Sequence, residues 1–125
     1  MKKTRSYSEK INRFCYSFNG KYYSDKECKR EMPKNLLHLF NWDNVEQSAG
    51  ITDAIMEEIF EGDIIWDAHY TGHGKRKHYY RVVINEGEFG MINISSGSFT
   101  GFEYFTFTSE VIIGDIHRNP KLLKR

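Results

Sequence analysis

The sequence contains few of the residues that mark secreted, membrane-spanning or metal-stapled proteins. Its 125 residues include two cysteines, Cys15 and Cys28, and two prolines. Two cysteines alone cannot form a four-ligand structural zinc site, and they fit reduced thiols. No apolar run approaches the roughly 20 residues needed to span a bilayer, and the first residues hold no apolar signal segment. We therefore expect a cytoplasmic protein with no membrane contact.

Net charge is also small, at +1, but its distribution along the chain is uneven. Residues 1–35 hold ten Lys or Arg against four Asp or Glu, whereas residues 36–67 hold eight acids and no Lys or Arg. Such blocks can attract each other within one fold or between subunits. Internal neutralisation is the simpler interpretation, and contact between copies is the alternative.

What the sequence does have is aromatic residues, at 15% of the chain. Large rings can build a core from few positions, so we expect one folded domain over residues 1–125. Five segments after residue 60 are rich in β-branched and aromatic residues and are bounded by turn formers. They are residues 64–70, 78–84, 88–94, 101–107 and 111–114. Their connections are too short for crossover helices, which predicts antiparallel pairing and a small SH3-like or related barrel.

The sequence predicts three regions within the domain. Residues 1–59 form an α+β portion packed on the barrel, residues 60–117 form the barrel core, and residues 118–125 form a C-terminal tail. Strands are expected at 5–7 and 14–18, followed by a hairpin turn at Asn19-Gly20. A capping-box pattern predicts a short helix at 25–31, and Pro33 could open another at 34–40. Residues 52–59 could form one further helical turn.

The stretch EEIFEGDIIW at residues 57–66 concentrates four acids around one glycine. Glu58, Glu61 and Asp63 could act as an acid–base pair or as oxygen ligands for a hard cation. However, no third ligand follows at the spacing of a known loop. We favour a structural turn in which Gly62 supplies an unusual φ and Asp63 bonds local backbone, flanked by Glu61.

Asp67, His69 and His73 are a second candidate set, since Asp67 and His69 share a strand face and His73 lies in the next turn. Imidazole and carboxylate groups could bind a divalent metal there. Chance proximity is the preferred interpretation, and no Ser-His-Asp, Cys-His or phosphate-loop signature occurs. The sequence therefore predicts no catalytic residues, no metal and no cofactor.

The basic segment near residue 75 is the feature most typical of nucleic-acid binding. Lys75, Arg76 and Lys77 could meet phosphates while Tyr79 or Tyr80 stacks on a base. The alternative is a solvated hairpin tip whose charges maintain solubility.

An aromatic run predicts a contact between copies of the chain. Alternation leaves both faces of residues 101–107 partly apolar, so one face lacks an obvious partner. We expect an oligomer interface at Phe99, Phe102, Tyr104, Phe105 and Phe107.

Four segments resemble the YopX family of phage and prophage proteins. They are the opening RSYSEK at 5–10 with FCY at 14–16, AGITD at 49–53, the strand entry IFEGDII at 59–65, and the closing VIIGDIHRNPKLL at 111–123, with its Asn119-Pro120 turn. Residues 54–57 depart from the family, which usually has Asn-Gly there. The resemblance implies a β-barrel phage protein of no established activity and supplies no catalytic residues.

Together these observations predict a non-enzymatic phage or prophage accessory protein that acts through self-association or macromolecular binding. The alternative is a nucleic-acid-binding module that uses Lys75–Lys77. A hydrolase built on Glu58, Glu61 and Asp63 is a distant third.

Overall fold

The described strands form two antiparallel five-stranded sheets and one two-stranded sheet. The computed structural model describes residues 3–67, 70–71, 74–75 and 78–124, with the backbone alone at 70, 71, 74 and 75. The predicted mainly β, antiparallel fold is confirmed. No helix in the described part of the chain is long and apolar enough to cross a membrane.

The N-terminal sheet is built from five strands: β1 (Thr4–Ser8), β2 (Arg13–Phe18), β3 (Lys21–Tyr23), β4 (Glu46–Thr52) and β5 (Glu58–Phe60). They lie in the order β3-β2-β1-β4-β5. Asn19 and Gly20 turn β2 into β3 with φ of 53° and 76°, the left-handed pair that a tight hairpin requires. The hairpin predicted at Asn19-Gly20 is therefore confirmed.

The C-terminal sheet contains β6 (Asp63–Asp67), β9 (His78–Asn85), β10 (Glu88–Asn93), β11 (Phe99–Gly101) and β12 (Glu110–Asp115). Their order is β11-β10-β9-β6-β12, while β7 (Tyr70–Thr71) pairs with β8 (Gly74–Lys75) in the two-stranded sheet. Among the described strands β11 and β12 do not pair with each other. Closure into a barrel is thus not confirmed.

Helical structure in the described residues is limited to 3₁₀ turns at Lys34–Leu39, Phe102–Tyr104 and Pro120–Leu123. The first of these lies where a helix at 34–40 was predicted. The helix predicted at 25–31 is wrong, because the Asp25 carboxylate accepts the backbone N–H groups of Lys29 and Arg30 and closes a compact loop. The N-terminal portion is consequently β with one 3₁₀ turn and not α+β.

Two further predictions of secondary structure, at residues 52–59 and 101–107, are wrong. The helical turn at 52–59 is wrong, since Asp53 accepts the N–H groups of Ile55 and Glu57 and joins β4 to β5. The strand at 101–107 is also wrong: β11 ends at Gly101, and a 3₁₀ turn follows. Phe107 then takes a positive φ of 57°, which a regular strand excludes.

Strand β5 connects the two main hydrophobic cores. Ile59 packs with Ile65, Val82 and Met91 against the C-terminal sheet. Its neighbour Phe60 packs on the opposite side with Phe14 and Tyr16. Successive strand residues point to opposite faces, so two adjacent side chains, both fully buried, belong to different cores. A third cluster holds Cys15, Met32 and Phe40.

Neither cysteine forms a disulfide. Cys15 is buried, and this burial raises the pKa of its thiol to about 11. A thiol that stays protonated at neutral pH is a weak nucleophile, which fits a structural role.

Gly62 joins the acidic turn to both neighbouring strands. Its φ is +89°, as the sequence predicted, and its N–H bonds the carbonyl of Val82 while its carbonyl accepts the N–H of Ile116. A Cβ at this position would lie 2.2 Å from Oε2 of Glu46. Conformation and space therefore both require glycine.

We predict that Gly62→Ala destabilises the fold more than Gly87→Ala. Gly87 has a similar φ of +82° but open space around it, so alanine there meets backbone strain of about 1–2 kcal/mol alone. The clash with Glu46 should add about 1–3 kcal/mol at Gly62. Urea unfolding of both variants measures the difference, with Glu61→Gln expected within about 0.5 kcal/mol of wild type. Equal losses for the two glycines would show that the contact with Glu46 has no energetic effect.

Candidate functional site

The acids of residues 57–63 do not converge on one site. Their partners differ: Lys26 for Glu57, Lys3 for Glu58, the Gln47 N–H for Glu61 and Arg5 for Asp63. Three of these four links join the basic block at 1–35 to the acidic block at 36–67, so the two blocks neutralise each other within the chain. The geometry agrees with the structural interpretation of the turn.

Arg5 is the centre of a buried ionic network. Its side chain is 1% exposed, and its guanidinium donates to Asp63 Oδ1 at 2.9 Å and to Glu46 Oε1 at 2.9 Å. It also reaches the Glu61 carbonyl at 3.2 Å, and the ring of Phe14 lies 4.0 Å from its Cζ. Two carboxylates, a carbonyl and an aromatic face thus surround the cation.

The electrostatics of this network agree with a permanently ionised Arg5. Burial lowers the pKa of Arg5, but the charges of Asp63 and then Glu46 outweigh it and raise the pKa above its ordinary value. Burial raises the pKa of Asp63, against the opposing effect of Arg5. Asp63 Oδ2 also accepts the Phe60 N–H at 2.7 Å, which stabilises the carboxylate.

The network continues from Glu46 into the closing segment. Glu46 Oε2 lies 2.9 Å from Nε2 of His117, whose ring stacks on Tyr7 at 4.7 Å. Asp115, fully buried, binds Arg118 at 2.7 Å. Three of the four segments that carry the family resemblance therefore meet around Arg5 and Glu46, although they come from the start, the middle and the end of the sequence.

A polar cavity of about 460 Å³ borders this network. Tyr7, Glu46, Glu61 and His117 line it, together with Glu9, Asn41, Asn44, Val45 and Ile116. Glu46 and His117 are already bonded to each other, and none of the lining residues is a serine, threonine or cysteine. The Glu46–His117 pair thus belongs both to the cavity wall and to the buried network.

The closing turn positions β12. Asn119 Oδ1 accepts the N–H of Asp115 at 3.1 Å, and a Cβ on Gly114 would lie 2.5 Å from the same oxygen. Pro120 opens the last 3₁₀ turn, where its missing N–H costs nothing. Asn119 and Pro120 thus have the structural surroundings of a turn.

A groove of about 660 Å³, lined by apolar residues and three threonines, lies between the β4–β5 connection and residues 106–108. Met56 and Ile51 form one wall and Phe107 the other. Met56 is 79% exposed, its neighbour Ile55 is 64% exposed, and Ile51 is 38% exposed. Met56 and Phe107 both have positive φ, of 71° and 57°. Sequence analysis did not identify this surface, because residues 52–59 were assigned to a helical turn.

The aromatic run predicted as an oligomer interface is divided between core and surface. Phe102, Phe105 and Phe107 pack on the core of the C-terminal sheet, and Phe102 meets Phe107 edge to face at 4.9 Å. Phe99 and Tyr104 are 39% and 76% exposed. Three of the five rings thus find partners within their own chain.

The predicted nucleic-acid contacts are also separated. Lys75 belongs to the two-stranded sheet, while Arg76 and Lys77 lie outside the described residues. Tyr80 packs edge to face on Phe105 at 5.4 Å, towards the core. Tyr79, the next residue on the strand, is half-buried on the other face.

Asp67 meets a different partner from those the sequence suggested. His69 and His73 lie outside the described residues, whereas Glu110 stands directly opposite Asp67 in the β6–β12 pair. Ser109 Oγ lies 3.0 Å from Asp67 Oδ1 and 3.0 Å from Glu110 Oε2. Burial and then the charges of Asp67 and Glu110 raise the pKa of Tyr80. Within the described ranges, no three His, Cys, Asp or Glu side chains are grouped as a metal site.

We predict that Arg5→Met lowers the free energy of unfolding by about 3–5 kcal/mol, because it leaves the Asp63 charge buried without a partner. Arg5→Met with Asp63→Asn should recover part of that loss, since no buried charge then remains at the pair. Chemical denaturation of both variants provides the measurement, with exposed Arg81→Met as the matched control. An additive double variant would contradict the coupling between Arg5 and Asp63.

Comparison with known proteins agrees with this architecture. The family model described as YopX protein matches residues 3–124. The crystal structure of protein EF1440 from Enterococcus faecalis has a similar fold, with a TM-score of 0.61, 20% sequence identity and 98% of each chain covered. No curated protein matches the chain. From the family match over nearly its whole length, the chain belongs to the YopX family.

Proposed function

We propose that this chain is a non-enzymatic phage or prophage accessory protein that acts in the bacterial cytoplasm through self-association. The observation that supports the proposal is the groove between the β4–β5 connection and residues 106–108, with the exposed apolar side chains of Met56 in its wall and Ile55 beside it. Its occupant is the same groove of a second copy, in a two-fold symmetric contact. Family membership supports the phage context, and the structural roles of the buried acids support the absence of catalysis.

The exposure of Ile55 and Met56 supplies the driving force. At 64% and 79% they leave more apolar side chain in water than Ile51 or Phe99 does. Full burial of such a side chain contributes about 1.5–3 kcal/mol, and a two-fold contact buries each one twice.

The charge of the groove suits contact between identical surfaces. A two-fold axis brings like charges together, so a charged patch would repel its copy. Among the described residues that line the groove, Asp53 is the only charged one, and it is 3% exposed. Its oxygens accept the N–H groups of Ile55, Glu57 and Ile112, so its own carboxylate is turned away from the groove surface.

Backbone strain in both walls also supports a binding role. Left-handed φ at bulky residues such as Met56 and Phe107 costs of order 1–3 kcal/mol each, and such residues cluster at binding sites. Met56 is 79% exposed on the β4–β5 connection, where a partner could reach it.

We predict that the wild-type protein is heavier in solution than its 14.8 kDa chain and that Ile55→Lys/Met56→Lys returns it to that mass. Lysine at both positions places like charges at the centre of the contact. Light scattering at about 20–100 µM, within the range where moderate interfaces associate, makes the measurement. The control is Ile113→Lys, which changes an equally apolar residue, 38% exposed, outside the groove. A monomeric wild type in low and physiological salt would refute the proposal.

The alternative function, nucleic-acid binding, is supported by the placement of Lys75 on the separate two-stranded sheet. Lys75, Arg76 and Lys77 would be its phosphate contacts. Tyr80 packs inward, which leaves Tyr79 as the candidate for stacking.

For this alternative we predict weak, salt-sensitive binding that Lys75→Ala/Arg76→Ala/Lys77→Ala abolishes. Three phosphate contacts give a slope of about −3 in log K against log salt on duplex DNA. Fluorescence anisotropy with labelled single- and double-stranded DNA at several salt concentrations tests it. Lys21→Ala/Lys29→Ala/Lys34→Ala, with three cations removed elsewhere, is the control. Binding that survives the first triple variant or high salt would place the contact elsewhere.

The finer fold prediction, a small SH3-like barrel, stays part of the proposal. It is supported by the aromatic segment at 102–107, which covers the inner face of the C-terminal sheet. Curvature of short strands around Ile65 and Met91 would bring β11 and β12 towards each other.

A further inference from the structure

Five carboxylates are buried in the described part of the chain, and three of them have the donors that burial requires. Asp63 and Asp115 bind arginines, and Asp53 accepts three backbone N–H groups. Asp67 and Glu110 differ, because no described cation lies within ion-pair distance of either.

Asp67 and Glu110 face each other across the β6–β12 ladder. Their backbones are in direct register, so both side chains leave the same face of the sheet. They are 8% and 3% exposed. Like charges directly opposite each other destabilise a strand pair, and burial increases the repulsion.

Ser109 cannot compensate for both carboxylates. Its Oγ lies 3.0 Å from an oxygen of each, but a hydroxyl has one proton to donate. Glu110 Oε1 is fully buried and has no hydrogen-bond partner among the described residues. A buried carboxylate oxygen without a donor is costly, and a positive ligand beside the pair would remove that cost.

We propose that Asp67, Glu110 and Ser109 form a site for a hard divalent cation of the Mg²⁺, Mn²⁺ or Ca²⁺ class. Two carboxylates and one hydroxyl supply oxygen donors only, which these ions prefer. One or two carboxylates with water completing the shell is a common arrangement for Mg²⁺. The set lacks the sulfur and nitrogen ligands typical of structural zinc.

The site would act on stability and not on chemistry. A cation between the strands replaces the repulsion of Asp67 and Glu110 with attraction to a shared charge. It would stabilise the start of β12, which follows directly after the groove wall at 106–108.

The test is thermal unfolding of the full chain, first treated with EDTA and dialysed, then titrated with MgCl₂, MnCl₂ or CaCl₂. Sodium chloride at matched ionic strength controls for screening. At about 100 times Kd the cation should raise Tm by several degrees, saturably. Asp67→Asn and Glu110→Gln should each remove most of that shift. Asp43→Asn, which neutralises an exposed acid elsewhere, should keep it.

A second measurement locates the ion. Mn²⁺ at substoichiometric concentration should broaden the backbone amide signals of residues 67, 109 and 110 before those of the acidic turn at 57–63. Broadening centred elsewhere overturns the proposal.

Other results of these experiments would also contradict the proposed cation site. A Tm shift unchanged in both variants, or absent with all three ions, overturns the site. If no metal responds and Lys75→Gln/Arg76→Gln/Lys77→Gln is less stable, the chain's own cations balance the pair.

Discussion

The buried ion pair between Arg5 and Asp63 is the constraint on which the rest of the structure depends. Arg5 lies on the second residue of β1, and Asp63 begins β6, so the pair ties one sheet to the other. A desolvated guanidinium is tolerated only when acceptors surround it, and here Glu46 and the Glu61 carbonyl complete the set. Glu46 also binds His117, so the network joins residues near the start of the chain to residues near its end.

The acidic stretch at 57–66 connects the two main hydrophobic cores. Ile59 and Phe60 point into different cores, and Gly62 turns the backbone so that Asp63 reaches Arg5. Three of its four acids bind basic residues from the 1–35 block, and this pairing accounts for the concentration of acids in the stretch. Each of these acids binds a different residue, and the four do not converge on one point.

Local features were predictable from sequence and distant ones were not. The Asn19-Gly20 turn and the need for glycine at 62 depend on short-range backbone geometry, which the residues themselves encode. The link from Arg5 to Asp63 spans 58 residues, and no periodicity signals it. Residues 101–107 were assigned to a strand because aromatic residues favour strands. Their packing over the C-terminal core overrode that local preference.

The groove and the carboxylate pair are the two features that folding alone does not explain, and they are in contact. The Ala54 N–H, in the groove, bonds the carbonyl of Glu110 at 2.9 Å, and Asp53 accepts the N–H of Ile112. The backbone of β12 therefore hydrogen-bonds the β4–β5 connection that forms one groove wall. The side chain of Glu110, on the same strand, faces the like-charged Asp67. A cation that neutralises Asp67 and Glu110 would also stabilise β12, the strand that hydrogen-bonds the connection in which Met56 lies. Cation binding and self-association would then be thermodynamically coupled, each strengthening the other by the same factor.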